Sequence, residues 1–170
     1  AGGYSIFAFS FGDLDEDGDL DVVVADWGLA ALRVFYNQGD ASFSNGPELV
    51  ARLPLSSGTA PNAAAAVIVG DFTGDGHADI AYTTANANVG GGGIGLYTGD
   101  AAGNQFTFLQ AQTDRIPARP VSRGGNATPV DIDRDGDLDL LFISQDLYSS
   151  ISQGVIVGLN DGVGHFTTVN

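Results

Sequence analysis

The stretch Asp13–Asp21, DLDEDGDLD, decides how this chain is read. Carboxylates alternate at Asp13, Asp15 and Asp17, Gly18 follows, and Asp21 closes the run. A hard cation such as Ca²⁺ takes about six to eight oxygens at roughly 2.3–2.6 Å, and alternating carboxylates converge on one only where the chain turns sharply. Glycine in the sixth position allows that turn at no steric cost. The seventh residue can offer its backbone carbonyl whatever its side chain. Two further windows repeat the pattern, Asp71–Asp79 (DFTGDGHAD) and Asp131–Asp139 (DIDRDGDLD), and their starts at Asp13, Asp71 and Asp131 are almost evenly spaced. A fixed period of this size marks a repeat architecture. Together the windows hold 14 of the 21 acidic residues, so the acids are gathered for a purpose and not spread for solubility.

The expected ligand set is therefore Asp13, Asp15, Asp17, Asp19 and Asp21 in the first loop. In the second it is Asp71, Thr73, Asp75, His77 and Asp79, and in the third Asp131, Asp133, Asp135, Asp137 and Asp139. Thr73 replaces the third-position acid, so the second of the three calcium sites is expected to be the weakest. An Asp-rich surface turn is common singly, but three copies in register make that reading poor. An EF-hand begins with the same D-x-D-x-D-G but needs a glutamate at position twelve and flanking helices. Position twelve here is Val24, Tyr82 and Phe142.

The flanks read as strands. Each window lies between short apolar stretches rich in Val, Ile, Phe and Tyr, such as SIFAFSFG before the first and VVVADW after it, with Gly, Asn or Asp at the ends. A turn with a trailing phenylalanine follows each: NQGDASF, TGDAAGNQF and NDGVGHF, ending at Phe43, Phe106 and Phe166. The first unit predicts strands over Ser5–Phe11, Val22–Asp26, Leu32–Tyr36 and Phe43–Val50. Repeats are expected at 1–52, 63–112 and 126–170, joined by connectors at 53–62 and 113–125 that are rich in Pro, Ser, Ala and Gly. A Gly-rich connector, Gly90–Gly95, interrupts the second unit, and the third is expected to have a short fourth strand or to borrow one.

The pattern of apolar strand, D-x-[DT]-x-D-G-x-x-D, apolar strand, then a Gly/Asn turn and Phe resembles the FG-GAP or VCBS-type repeat. Such repeats build β-propeller blades in integrin α-subunits and in many secreted proteins. The resemblance covers nearly the whole chain outside the connectors. It implies an all-β fold of three four-stranded blades, each with Ca²⁺ between its first and second strands. Such propellers usually have seven blades, and this chain has three.

Composition narrows the function. The 170 residues carry a formal charge of −15 with six arginines and no lysine, which removes the basic face that nucleic acid or anionic lipid requires. With no cysteine there is neither a disulfide nor a thiolate metal site. No apolar run approaches the roughly 20 residues of a membrane-spanning helix. The chain starts at Ala1 without methionine or signal-peptide pattern and reads as a processed protein or excised segment.

Catalytic groups are scarce: no cysteine, no G-x-S-x-G elbow, and only His77 and His165, both in turns. No enzyme is expected. Trp27, Tyr36, Tyr97 and Tyr148 suit packing between blades better than a sugar-stacking platform. Asn126-Ala127-Thr128 is a sequon that would make the chain a glycoprotein. The expected function is an extracellular, calcium-stabilised module for cell adhesion or structural assembly, with a propeller lectin or a piece of a larger seven-bladed ring as alternatives. Three blades leave two sheet faces open, so self-association is expected, by ring closure or an end-to-end filament, with a glycan or protein as a further ligand. In the filament, the Ala1–Phe11 segment of one chain would complete the third unit of the next.

Overall fold

A computed structural model describes residues 6–51, 63–85, 93–103, 105–109, 127–144 and 154–169. The strands of the first unit are β1 (Ile6–Gly12), β2 (Asp21–Asp26), β3 (Ala31–Asn37) and β4 (Phe43–Val50). The second unit has β5 (Ala63–Gly70), β6 (Asp79–Ala85), β7 (Gly93–Thr98) and β8 (Thr107–Leu109). The third has β9 (Ala127–Val130), β10 (Asp139–Ser144), β11 (Gly154–Asn160) and β12 (Phe166–Val169). Each set forms its own four-stranded sheet with neighbours in chain order, and every pairing is antiparallel. The described residues contain no helix. The fold is all-β: three blade-like sheets, each with its acidic loop between first and second strands.

β-Branched runs explain the strands and their burial. In β2 the sequence Val22-Val23-Val24 alternates across the sheet, and in β5 the short alanines give way to Val67-Ile68-Val69. Two cores result. Val23, Ala25, Leu32 and Val34 of the first sheet meet Ile80, Tyr82 and Tyr97 of the second. The other face of the second sheet, with Ile68, Ala81, Ile94 and Leu96, meets Leu140, Phe142, Ile156 and Phe166. The middle sheet is covered on both faces, so β6 and β7 lose the alternation of a half-exposed strand, as a sheet between two layers must. The first strands adjoin: β5 packs on β1 and on β9, and the Val69 N–H donates to Ser10 Oγ at 3.1 Å.

One expectation is corrected, and one alternative falls away. Gly93–Gly95 is not connector but the start of β7, because Gly95 lies under the Tyr82 ring, where a methyl group would overlap it. The third unit has a short fourth strand of its own, one of the two forms expected for it: β12, of four residues, pairs with β11, and Ile6–Gly12 is already paired in its own sheet. Strand donation between chains therefore loses its premise. The 53–62 and 113–125 connectors, Asn126 and Tyr148 lie outside the described residues.

Candidate metal centre

Each loop is folded by its first aspartate. Asp13 accepts the N–H groups of Asp17 and Gly18 at 3.1 and 3.0 Å. Asp71 accepts those of Gly74 and Gly76, and Asp131 those of Arg134 and Gly136. The sixth-position glycines take the left-handed conformation the turn demands, with φ of 95° at Gly18, 88° at Gly76 and 104° at Gly136. The fourth position is left-handed too, at Glu16 (φ 59°), Gly74 (φ 69°) and Arg134 (φ 67°). Sequence reasoning missed this second bend, and only Gly74 hinted at it. The fifth-position acids accept the seventh-position N–H: Asp17 from Asp19, Asp75 from His77, and Asp135 from Asp137.

These turns bring carboxylates together. In the first loop one oxygen from each of Asp13, Asp15 and Asp17 lies within 4.8 Å of the others, and Asp131, Asp133 and Asp139 form the same kind of trio in the third. Two ligands about 2.4 Å from a shared ion stand at most about 4.8 Å apart, so both trios fit a hard cation. Asp15 Oδ1 is sealed from solvent with no hydrogen-bond partner among the described residues. A buried carboxylate oxygen left so is costly unless a charge meets it. Burial pushes the Asp15 carboxyl above its ordinary value, and the charges of Asp21 and Asp17 push the same way. Lost hydration, then the charge of Asp135, raises Asp133 and Asp137 likewise. In the second loop the Thr73 hydroxyl donates to Asp79 Oδ2 at 3.1 Å, and no acidic trio converges there among the described residues.

The ninth-position aspartates do something the sequence did not suggest. Asp21, Asp79 and Asp139 are fully buried. Asp21 takes the Leu14 N–H on Oδ2 and the Asn37 N–H on Oδ1, both at 2.8 Å. Asp79 takes those of Phe72 and Gly99, and Asp139 those of Ile132 and Asn160. Each carboxylate thus latches its loop to the end of the third strand. Such a latch leaves lone pairs for an ion but holds without one.

The seventh-position side chains turn away from the loop centres. The Asp19 carboxylate lies over Gly39 and the Asp137 carboxylate over Gly162, in the turns of their own sheets. His77 instead reaches the preceding loop, with Nδ1 at 2.6 Å from Glu16 Oε1. Other contacts also join loop to neighbouring sheet. Gly103, in the turn after β7, sits so close to Leu14 O and Asp15 Cα that a methyl group would overlap both. Tyr36 donates its hydroxyl to Gly103 O at 2.7 Å, and burial, then the charges of Asp15, Asp21 and Asp100, pushes that hydroxyl up to about 12. Asn160 Nδ2 donates to Phe72 O, across to the second loop. Tyr97 lies in the core between sheets one and two and donates to Val50 O. Tyr36 and Tyr97 therefore serve packing between sheets. His165 pairs with Asp161 at 3.0 Å in an exposed turn.

Residues 13–82 match the family described as FG-GAP-like repeat. The match runs from the first acidic loop through the second and into β6, so it spans the joint between the first two sheets. The third sheet repeats their strand order and latch. No curated protein is similar enough to the chain to be matched. No helix among the described residues is long and apolar enough to cross a membrane.

Proposed function

We propose that this chain is a non-enzymatic repeat module, stiffened by calcium, that works outside the cell in adhesion or structural assembly. The observation that carries the reading is the convergence of the Asp13, Asp15 and Asp17 carboxylates in the first loop, with a buried Asp15 oxygen that has no hydrogen-bond partner among the described residues. Asp13, Asp15 and Asp17 would hold the first ion, and Asp131, Asp133 and Asp139 the third. Calcium there would neutralise groups that repel one another and fix each blade against the next. The second loop, with Thr73 turned to Asp79, would bind last. FG-GAP repeats usually stand in extracellular domains, where millimolar calcium suits loops of this kind. The aromatic residues that a lectin would use are engaged between sheets at Tyr36 and Tyr97.

Calorimetric titration of the calcium-free chain tests this. The expected result is three ions, two bound more tightly than the third, with Asp17→Ala and Asp133→Ala each removing one of the tight pair. No heat of binding at millimolar calcium would end the proposal.

A further inference from the structure

The two joints inside the chain follow one rule, and its unused halves lie at the ends. Residues level with loop position ten (Val22, Ile80, Leu140) face the preceding sheet, and those level with position eleven (Val23, Ala81, Leu141) face the following one. The cores show this: Ile80 packs with Val23, and Leu140 packs with Ala81. By strand register, Leu32, Ile94 and Val155 are equivalent positions on the following-facing side. Leu32 and Ile94 are both 0% exposed beneath the next sheet, whereas Val155 is 56% exposed. On the preceding-facing side, Phe9 stands where the second sheet has Val67. Val67 is 5% exposed and Phe9 62%. Phe11 lies beside Phe9, edge to face at 5.5 Å between ring centroids, and is exposed as well.

Charge at the loops tells which surface suits which. At the first joint, position four of one loop (Glu16) meets position seven of the next (His77). At the second joint, position four is Gly74, beside Gly162, the glycine on which the position-seven Asp137 rests. Continued beyond the ends, the rule sets position four of the third loop, Arg134, against position seven of a first loop, Asp19. Those are opposite charges. Among the described residues the Arg134 guanidinium makes no ion pair.

We infer that a second copy of this chain docks head to tail. The Leu141–Val155 face of one copy covers the Phe9–Phe11 face of the next, with Arg134 against Asp19. The contact is heterologous, joining two different surfaces, so it either closes a ring or runs on. It joins the kinds of face already buried twice within the chain and requires no strand exchange. This inference rests on reading the chain as an assembling repeat module but not on the calcium assignment.

Sedimentation velocity of the whole chain in millimolar calcium, across a concentration series, tests it. The wild-type chain of 17.4 kDa should move to dimers or longer series as concentration rises. Val155→Asp and Phe9→Asp, both at exposed positions, should each be monomeric, since every joint needs both faces. Mixed together they should form dimers and nothing larger, because each supplies the face the other lacks. Val169→Asp, on the same face as Val155, should behave as Val155→Asp does and guards against a folding defect in either variant. Arg134→Ala should weaken association by about 2- to 5-fold, as loss of a surface ion pair does. A wild-type chain that stays monomeric throughout overturns the inference and leaves the faces to another protein or to further blades of the same polypeptide. Association of either aspartate variant alone, or no dimer in the mixture, overturns it too. Calcium-dependent melting of monomeric Val155→Asp separates the two readings: its presence without wild-type association sinks the joint alone, and its absence with dimers in the mixture sinks the calcium reading alone.

Discussion

Removing the Asp21 carboxylate should cost stability whether or not calcium is present, and this sets the buried latch apart from an ordinary ligand. Asp21→Ala strands two backbone donors, the Leu14 and Asn37 N–H groups, each now held at 2.8 Å. The Leu14 N–H lies in a buried position, and losing its acceptor costs about 1–3 kcal/mol. The Asn37 N–H is partly reached by water and adds about 1 kcal/mol. The expected loss in excess EDTA is therefore about 2–4 kcal/mol, a large part of the roughly 5–15 kcal/mol of an ordinary domain. Asp17→Ala is the control. Asp17 is exposed and accepts only the Asp19 N–H among the described residues, so in EDTA it should lose under about 1 kcal/mol, with relief of repulsion offsetting part of that. Asp21→Asn keeps one acceptor oxygen and should fall between the two. Urea unfolding followed by tryptophan fluorescence, with and without EDTA, reads all three. Equal losses for Asp21→Ala and Asp17→Ala in EDTA would show that the ninth-position acid acts only through a bound ion.

Three other outcomes are expected. Gly103→Ala forces a side chain into a left-handed backbone (φ 62°) and onto Leu14 O and Asp15 Cα, and should lose about 2–5 kcal/mol in thermal or urea unfolding, against near neutrality for an exposed alanine such as Ala102 changed to serine. Asp75→Ala should leave the two tighter ions in a calorimetric titration and remove the weakest. The pH dependence should change sign with calcium. Asp15, Asp79, Asp133 and Asp137 have folded values raised above 3.8, chiefly by lost hydration, so the ion-free folded chain takes up protons before the unfolded one and gains stability as pH falls towards 3.8. Asp40, lowered by the Ser42 hydrogen bonds, opposes this in part. With calcium bound, protons displace ions and the melting temperature should fall over the same range; parallel slopes in the two conditions would contradict the account.

Much of this was legible in the sequence because it is written in local chemistry. Strand ends in the first unit fell within about one residue, since apolar runs stop where Asp and Gly begin. The sixth-position glycines had the left-handed φ that the turn required. What escaped reading depends on neighbours distant in the chain. Gly93–Gly95 looks like a flexible run until the Tyr82 ring occupies the space a side chain would need. Asp21 looks like one more ligand until Leu14 and Asn37 converge on it. Glu16 and His77 meet only because adjoining sheets bring two loops side by side. The count of three repeats, with the blade resemblance, implies two outer sheet faces, but only strand register shows that Val155 and Phe9 occupy positions buried elsewhere in the same chain.

Calcium dependence of folding tests the central claim most directly. A ligand at about 100 times its dissociation constant stabilises by about 2.7 kcal/mol per site, so three independent sites supply about 8 kcal/mol. For a chain of 170 residues each kcal/mol moves the melting temperature by roughly 2–4 °C, giving a fall of about 15–30 °C on chelation. Thermal unfolding by circular dichroism, in millimolar calcium and again in excess EDTA, measures it. The account predicts that large fall, reversed by added calcium. A shift of only a degree or two would mean that the three acidic loops are not calcium sites.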